Sequence, residues 1–153
     1  MPSSFAALYA HIVFSTRLRE PWITEVWAKR LYAYLGGLCR ERGCVLLRAG
    51  GMADHVHLLV SLARDTKPSD FMRDLKAGSS KWVHDTFTDQ RAFSWQDGFG
   101  IFSVSVSQLE RVEKYIENQA QHHSKTTFTA EFEALLRKHR VEYDPKFLWA
   151  DRA

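Results

Sequence analysis

The chain has 153 residues, 45% of them hydrophobic and 25% charged, with a formal net charge of +3. These values describe a globular chain able to bury a core of its own, and they exclude a disordered tail, a coiled coil and a disulfide-stapled miniprotein. No apolar run approaches the roughly 20 residues needed to cross a bilayer, and the first residues lack a basic segment followed by an apolar stretch. The expectation is therefore a cytoplasmic protein with no membrane partner. The mild positive charge permits a phosphate-rich partner without demanding one.

Tyr9 to Thr16 reads as a strand of β-branched and aromatic residues that ends in a charged turn at Arg17–Pro21. From Glu25 to Arg42, Val26, Trp27, Leu31, Tyr34, Leu35 and Leu38 recur at three and four, which predicts an amphipathic helix with Thr24 as its cap and Gly43 as its stop. Cys39 and Cys44 flank the end of that helix without a second pair to complete a zinc site, so free thiols are expected.

Cys44 to Ala49 reads as a second strand, residues 50–53 as a turn beginning Gly50-Gly51, and Asp54 to Leu62 as a third strand, together an antiparallel hairpin. A helix from Ser69 to about Phe87 follows Pro68, with Gly78-Ser79-Ser80 marking a close approach to something. The aromatic and glycine-rich passage Phe93–Gly100 leads into a fourth strand, Ile101 to Ser105. Ser107 and Glu110 suggest a capping box for a helix from Gln108 to about Ser124. A last helix runs from about Thr129 to His139, and the tail from Tyr143 to Trp149 is apolar enough to pack on the body or on a partner. The order is β-α-β-β-α-β plus helices, an α+β fold with a ferredoxin-like antiparallel sheet and helices on one face. One domain over 1–153 is expected, its core at about 5–125 and a helical extension at about 126–153.

Two stretches carry chemistry. In the third strand, His55 and His57 are two residues apart, so both imidazoles stand on one face while Val56 and Leu58 take the other. Such a pair serves a metal ion or acid–base work, or else is two half-buried histidines with ordinary partners. In the helix after the fourth strand, Tyr115, Gln119 and His122 or His123 share one polar side at 3.6 residues per turn. That side is either solvated or a site.

Taken together, His55-Val56-His57, the passage Trp95-Gln96-Asp97-Gly98-Phe99-Gly100, and Tyr115-Ile116 followed by Asn118-Gln119 and His122-His123 resemble the single-tyrosine HUH transposases of small bacterial insertion sequences, including those associated with repeated extragenic palindromes. The resemblance runs over nearly the whole chain. It implies that His55, His57 and Gln119 are ligands of a divalent metal, Mg²⁺ or Mn²⁺, and that Tyr115 is the nucleophile. It further implies cleavage and rejoining of single-stranded DNA with hairpin ends through a 5′-phosphotyrosine, without ATP, in a homodimer whose tyrosine helices can serve the partner's histidines. Two imidazoles and an amide would leave the ion's charge without a protein carboxylate to balance it, with Asp54 a weaker ligand and His11 a structural residue. Arg73, Lys76 and Lys81 are phosphate contacts by this reading. Trp95 and Phe99 stack on bases or pack a turn, and His122 and His123 orient Tyr115, touch DNA or answer the helix dipole. The competing readings are a non-catalytic single-stranded nucleic-acid binding module, a domesticated nickase, and a metallohydrolase that does without the tyrosine.

Overall fold

A computed structural model of the chain describes residues 3–123 and 125–148. Four strands, β1 (Leu8–Ser15), β2 (Val45–Met52), β3 (His55–Leu62) and β4 (Gly100–Val104), form one antiparallel sheet in the order β2-β3-β1-β4. This is the ferredoxin-like arrangement expected from the element order. Helices α1 (Glu25–Glu41) and α2 (Pro68–Thr86) are the two crossovers.

Strand alternation divides the sheet into two unlike faces. Ala10, Ile12 and Phe14 of β1 and Val56, Leu58 and Val60 of β3 point toward α1 and α2, where they meet Leu31, Leu35, Phe71, Met72 and Leu75 in the main core. Each such fully buried side chain contributes about 1.5–3 kcal/mol, so the register of the two central strands is firmly set. Gly78 answers the expectation of a close approach: a Cβ there would lie 3.1 Å from both methyls of Leu38 on α1.

The opposite face carries His11, Val13, His55, His57 and Phe102, and the helices after β4 cover it. These are α3 (Leu109–Glu117), α4 (Gln119–His122), α5 (Phe128–Lys138) and α6 (Pro145–Leu148). Phe128, Phe132 and Leu136 of α5 pack on Val13 and Phe102 in a second cluster, joined by Tyr143 and Leu148 of the tail. The two crossover helices thus lie on one face, as expected, and the added C-terminal helices cover the other. Ser124 and Trp149 fall outside the described residues.

Three local expectations change. Gly50 and Gly51 lie within β2, paired with His57 and Val56, and the turn falls at Ala53-Asp54. Glycine is required at position 50 by packing: a Cβ would stand 2.6 Å from the Ile116 carbonyl oxygen, because α3 rests directly on the strand. In β2 a bulge between Leu46 and Arg48 shifts the pairing by one residue. Consequently Leu46 and Ala49 both join the main core, while Arg48 reaches Glu113 and Glu117 on α3. The helix expected over 108–124 is divided at Asn118 (φ −97°, ψ 22°), and Ser107 lies in a 3₁₀ turn with its hydroxyl on Ser105 rather than capping the helix.

Candidate metal and tyrosine site

His55 and His57 are buried side by side on the α3–α5 face of β3, ring centroids 5.1 Å apart. The Nδ1 atom of each ring is already engaged. His55 Nδ1 lies 2.7 Å from Asp54 Oδ1, and His57 Nδ1 lies 2.8 Å from His11 Nε2. Both Nε2 atoms consequently face the same space, which is how supporting groups orient a pair of metal-binding imidazoles. Asp54 acts on His55 from the turn, where strand alternation does not yet govern its direction. His11 is itself buried and holds His57 through this contact.

Tyr115 on α3, Gln119 on α4 and Glu131 on α5 close the space from the other side. Gln119 is buried, its Oε1 3.1 Å from His55 Nε2, and the Tyr115 ring meets those of His57 and His11 edge-on at 5.7 and 5.9 Å. Glu131, 3% exposed, stands at the centre. Its Oε1 lies 2.9 Å from His123 Nε2, 3.1 Å from His57 Nε2 and 3.6 Å from His55 Nε2. Its Oε2 accepts hydrogen bonds from the Tyr115 hydroxyl and, at 3.1 Å, from the Gln119 amide. His122 Nε2 approaches the same oxygen at 3.4 Å without a hydrogen bond and is otherwise unpartnered.

Glu131 escaped the reading of the sequence, although a signal for it exists. Phe128, Phe132, Leu135 and Leu136 mark the apolar stripe of α5, and position 131 falls inside that stripe at i+3 from Phe128. A carboxylate on a core-facing position requires partners, so it points to a site.

The electrostatics follow from burial. Burial and the neighbouring His57 charge push His11 down to about 3, so this ring is neutral throughout the physiological range. Burial also holds His57 below the ordinary histidine value, against the opposing pull of Glu131. Burial alone would raise the Glu131 carboxyl, but hydrogen bonds from His57, Tyr115 and Gln119 and the His57 charge hold it well below the carboxylate range. Tyr115 is pushed far above the usual phenol value, first by burial and then by Glu131. In this arrangement Tyr115 is a neutral phenol hydrogen-bonded to a carboxylate.

The donor set fits a divalent cation. With Nδ1–H of His55 given to Asp54, its Nε2 lone pair faces the carbonyl oxygen of Gln119, whose amide nitrogen is turned to Glu131. Two acceptors at 3.1 Å require a proton or a cation between them. His55, His57, His123 and Glu131 place one donor atom each within 4.8 Å of one another, a buried cluster that could hold a metal ion.

The DNA-contact candidates outside the tyrosine helix, and the two cysteines, lie away from this cluster. Arg73, Lys76 and Lys81 are on α2, against the far face of the sheet. Arg73 pairs with Asp70 and Asp74, Lys81 with Asp85, and Lys76 donates to the Gln96 carbonyl at 2.8 Å. Trp95 is buried with its indole N–H on Ser79 Oγ and its ring against Phe14 and Phe93, so its faces are spent in the core. Cys39 and Cys44 are buried free thiols in the α1–α2 core, apart from the histidines.

Comparison with known proteins covers most of the segment that builds this geometry. A family model described as "Transposase IS200 like" matches residues 4–119, a span that includes His55, His57, Tyr115 and Gln119 and stops before His122, His123 and Glu131. The ISDra2 transposase TnpA of Deinococcus radiodurans is 25% identical over 114 residues, covering 71% of this chain and 81% of that protein. The transposase for insertion sequence element IS200 of Salmonella typhimurium is 27% identical over 117 residues, covering 72% of this chain and 76% of that one. Two solved structures share the fold. One is described as a transposase from Deinococcus radiodurans R1 (TM-score 0.65, 23% identity, 78% of this chain and 95% of the other). The second is a REP-associated tyrosine transposase bound to a REP hairpin (TM-score 0.60, 15% identity, 82% and 74%). With a family match over the sheet, both histidines and the tyrosine helix, the chain belongs to the IS200-like transposases.

Proposed function

We propose that the protein cuts and rejoins single-stranded DNA at hairpin-marked ends through a covalent 5′-phosphotyrosine on Tyr115. The observation that carries this reading is the convergence of His55, His57, Gln119 and Tyr115, from three separate elements, on one buried space within a single chain. The Tyr115 oxygen attacks the scissile phosphorus and gives up its phenolic proton, the bond from phosphorus to the 3′ oxygen breaks, and the 3′ oxygen takes up a proton and departs as a hydroxyl. The phosphotyrosyl ester retains the energy of the broken linkage, so a second 3′ hydroxyl can reseal the strand and release Tyr115 without ATP.

His55, His57 and Gln119 would hold the divalent ion, Mg²⁺ or Mn²⁺. When bound, it supplies positive charge to the phosphate oxygens and to the leaving oxygen. Asp54 and His11 fix the two imidazoles, Gln119 bridges His55 and the tyrosine helix, and Glu131 accepts the hydrogen bond of the phenol until substrate displaces that contact.

The same reading takes the chain as one cytoplasmic domain acting as a homodimer on the nucleoid. β2 and β4 are the two edges of the sheet, and among the described residues no helix is long and apolar enough to cross a membrane. Tyr115 stands against the histidines of its own chain, which supports a site assembled in cis. Of the DNA contacts, His122 lies against the Tyr115 ring and His123 against the His55 ring, while Arg73, Lys76 and Lys81 would serve a separate tract on the α2 side.

The test is a denaturing gel of the protein with end-labelled single-stranded oligonucleotides carrying hairpins, in Mn²⁺. The wild type is expected to retain label on its own band, and Tyr115→Phe to retain none. A covalent adduct formed by Tyr115→Phe would refute the assignment.

A further inference from the structure

We propose that Glu131 is a carboxylate ligand of the divalent ion, so that α5, beyond the segment shared with the family model, completes the metal centre. This rests on the metal role given above to His55 and His57, and extends it to residues the family match does not reach.

Three observations carry the inference. First, three imidazole Nε2 atoms converge on Glu131 Oε1, at 2.9, 3.1 and 3.6 Å, and one donor atom from each of the four residues lies within 4.8 Å of the others. Second, the hydrogen-bond roles conflict at this oxygen as they do at Gln119. His123 Nδ1 is 2.6 Å from the Thr126 carbonyl oxygen, which can only accept, so Nδ1 carries a proton and donates it. In a neutral ring the Nε2 lone pair then faces the carboxylate at 2.9 Å. One cation placed among His55, His57, His123, Gln119 and Glu131 resolves both conflicts. Third, a buried carboxylate supplies the negative charge that two imidazoles and an amide lack, and burial in the α5 stripe leaves it no solvent to turn to.

The donor set also selects the ion. Imidazole nitrogens together with one carboxylate suit Mn²⁺ or Zn²⁺ better than Mg²⁺, which prefers an all-oxygen shell and retains its waters. Because Glu131 comes from α5, an ion bound there ties this helix to the central strand, and binding free energy becomes docking free energy for the C-terminal segment.

The experiment is calorimetric titration of the full chain with Mn²⁺ alone, without DNA, for the wild type, Glu131→Gln and His57→Gln. Glutamine keeps the shape and both contacts to Oε2 in Glu131→Gln, and near-ultraviolet circular dichroism checks that each variant is folded. The expected result is Mn²⁺ binding at least tenfold weaker in Glu131→Gln and lost in His57→Gln. Mn²⁺ affinity in Glu131→Gln within twofold of wild type, or tighter, alongside lost binding in His57→Gln overturns the role of Glu131. It would leave the histidine site standing without a carboxylate ligand. Undiminished binding in His57→Gln instead removes the metal role of the histidines, and this proposal with it. A measurement on the unaltered chain covers the case of a misfolded variant: the infrared difference spectrum of ¹³C-glutamate-labelled wild type should show a carboxylate band that moves on Mn²⁺ saturation. No such shift overturns the proposal.

Discussion

Gly50→Ala is the most informative single-atom change in this protein, because it separates the support of the site from its chemistry. The added Cβ would stand 2.6 Å from the Ile116 carbonyl oxygen and 3.0 Å from Ile116 Cγ2, where ordinary contact begins at 3.4 Å. The obstacle is helix backbone on one side and a strand paired with His57 on the other, so neither partner can swing away as a long side chain would. Relief requires α3 to rise from the sheet by about 0.8 Å, and overpacking of this kind costs about 1–3 kcal/mol. For a chain of this length that is a melting temperature about 2–12 °C lower. Ile116 adjoins Tyr115 and lies one turn before Gln119, so the same displacement moves both away from the histidines. Misplacement approaching 1 Å costs about a hundredfold in rate. Thermal melting measures the first effect, and single-turnover formation of the covalent adduct measures the second. A variant that melts within about 1 °C of wild type and forms adduct at the wild-type rate would show that α3 does not bear on Gly50 as described.

Two further outcomes concern stability. Phe132→Ala empties the middle of the second cluster, where Phe132 packs between Phe128 and Phe102, and should cost about 3–5 kcal/mol by urea denaturation; a loss below about 1 kcal/mol would mean that α5 is not held through this residue. His11 is held down to about 3 when folded and takes up a proton near 6.5 when unfolded, so the unfolded chain binds more protons between those values. Its contribution is present above about pH 6.5 and is lost as pH falls, by up to about 1.4 kcal/mol per unit. Urea midpoints at pH 7, 6 and 5 should therefore fall more steeply for wild type than for His11→Gln, and parallel curves would contradict the burial of a neutral ring.

What could be read ahead of the structure depended on how far apart in sequence the cooperating residues lie. His55 with His57, and Tyr115 with Gln119, are local pairs whose relation follows from strand alternation and helical pitch, and both pairs are where those periods put them. Glu131 meets His57 across 74 positions, and no local period connects them; only its place inside an apolar stripe hinted at a buried role. Glycine is the usual turn residue, so Gly50-Gly51 reads as a turn, whereas at Gly50 the cause is α3 lying on β2, a contact between distant segments, and at Gly51 it is the close approach of the β3 backbone at His55 and Val56. Trp95 illustrates the same limit: an aromatic ring beside glycines suits base stacking or core packing equally well until Ser79 and Phe14 are seen around it. The division of the tyrosine helix at Asn118 was equally hidden, since the polar stripe continues through the break.

The bulge in β2 makes this edge strand sensitive to length as well as to composition. Because one residue between Leu46 and Arg48 is unmatched on β3, the strand changes parity there, and everything from Arg48 onward is phased to the helix that carries the tyrosine. Loss of one codon at Leu47 would remove the unmatched residue and leave Leu46 facing the core and Arg48 and Gly50 facing α3, with every pair to β3 retained. Insertion of one residue beside it would instead turn the positions beyond it to the wrong face. Deletion and insertion of a single residue thus have opposite consequences at this point of the strand.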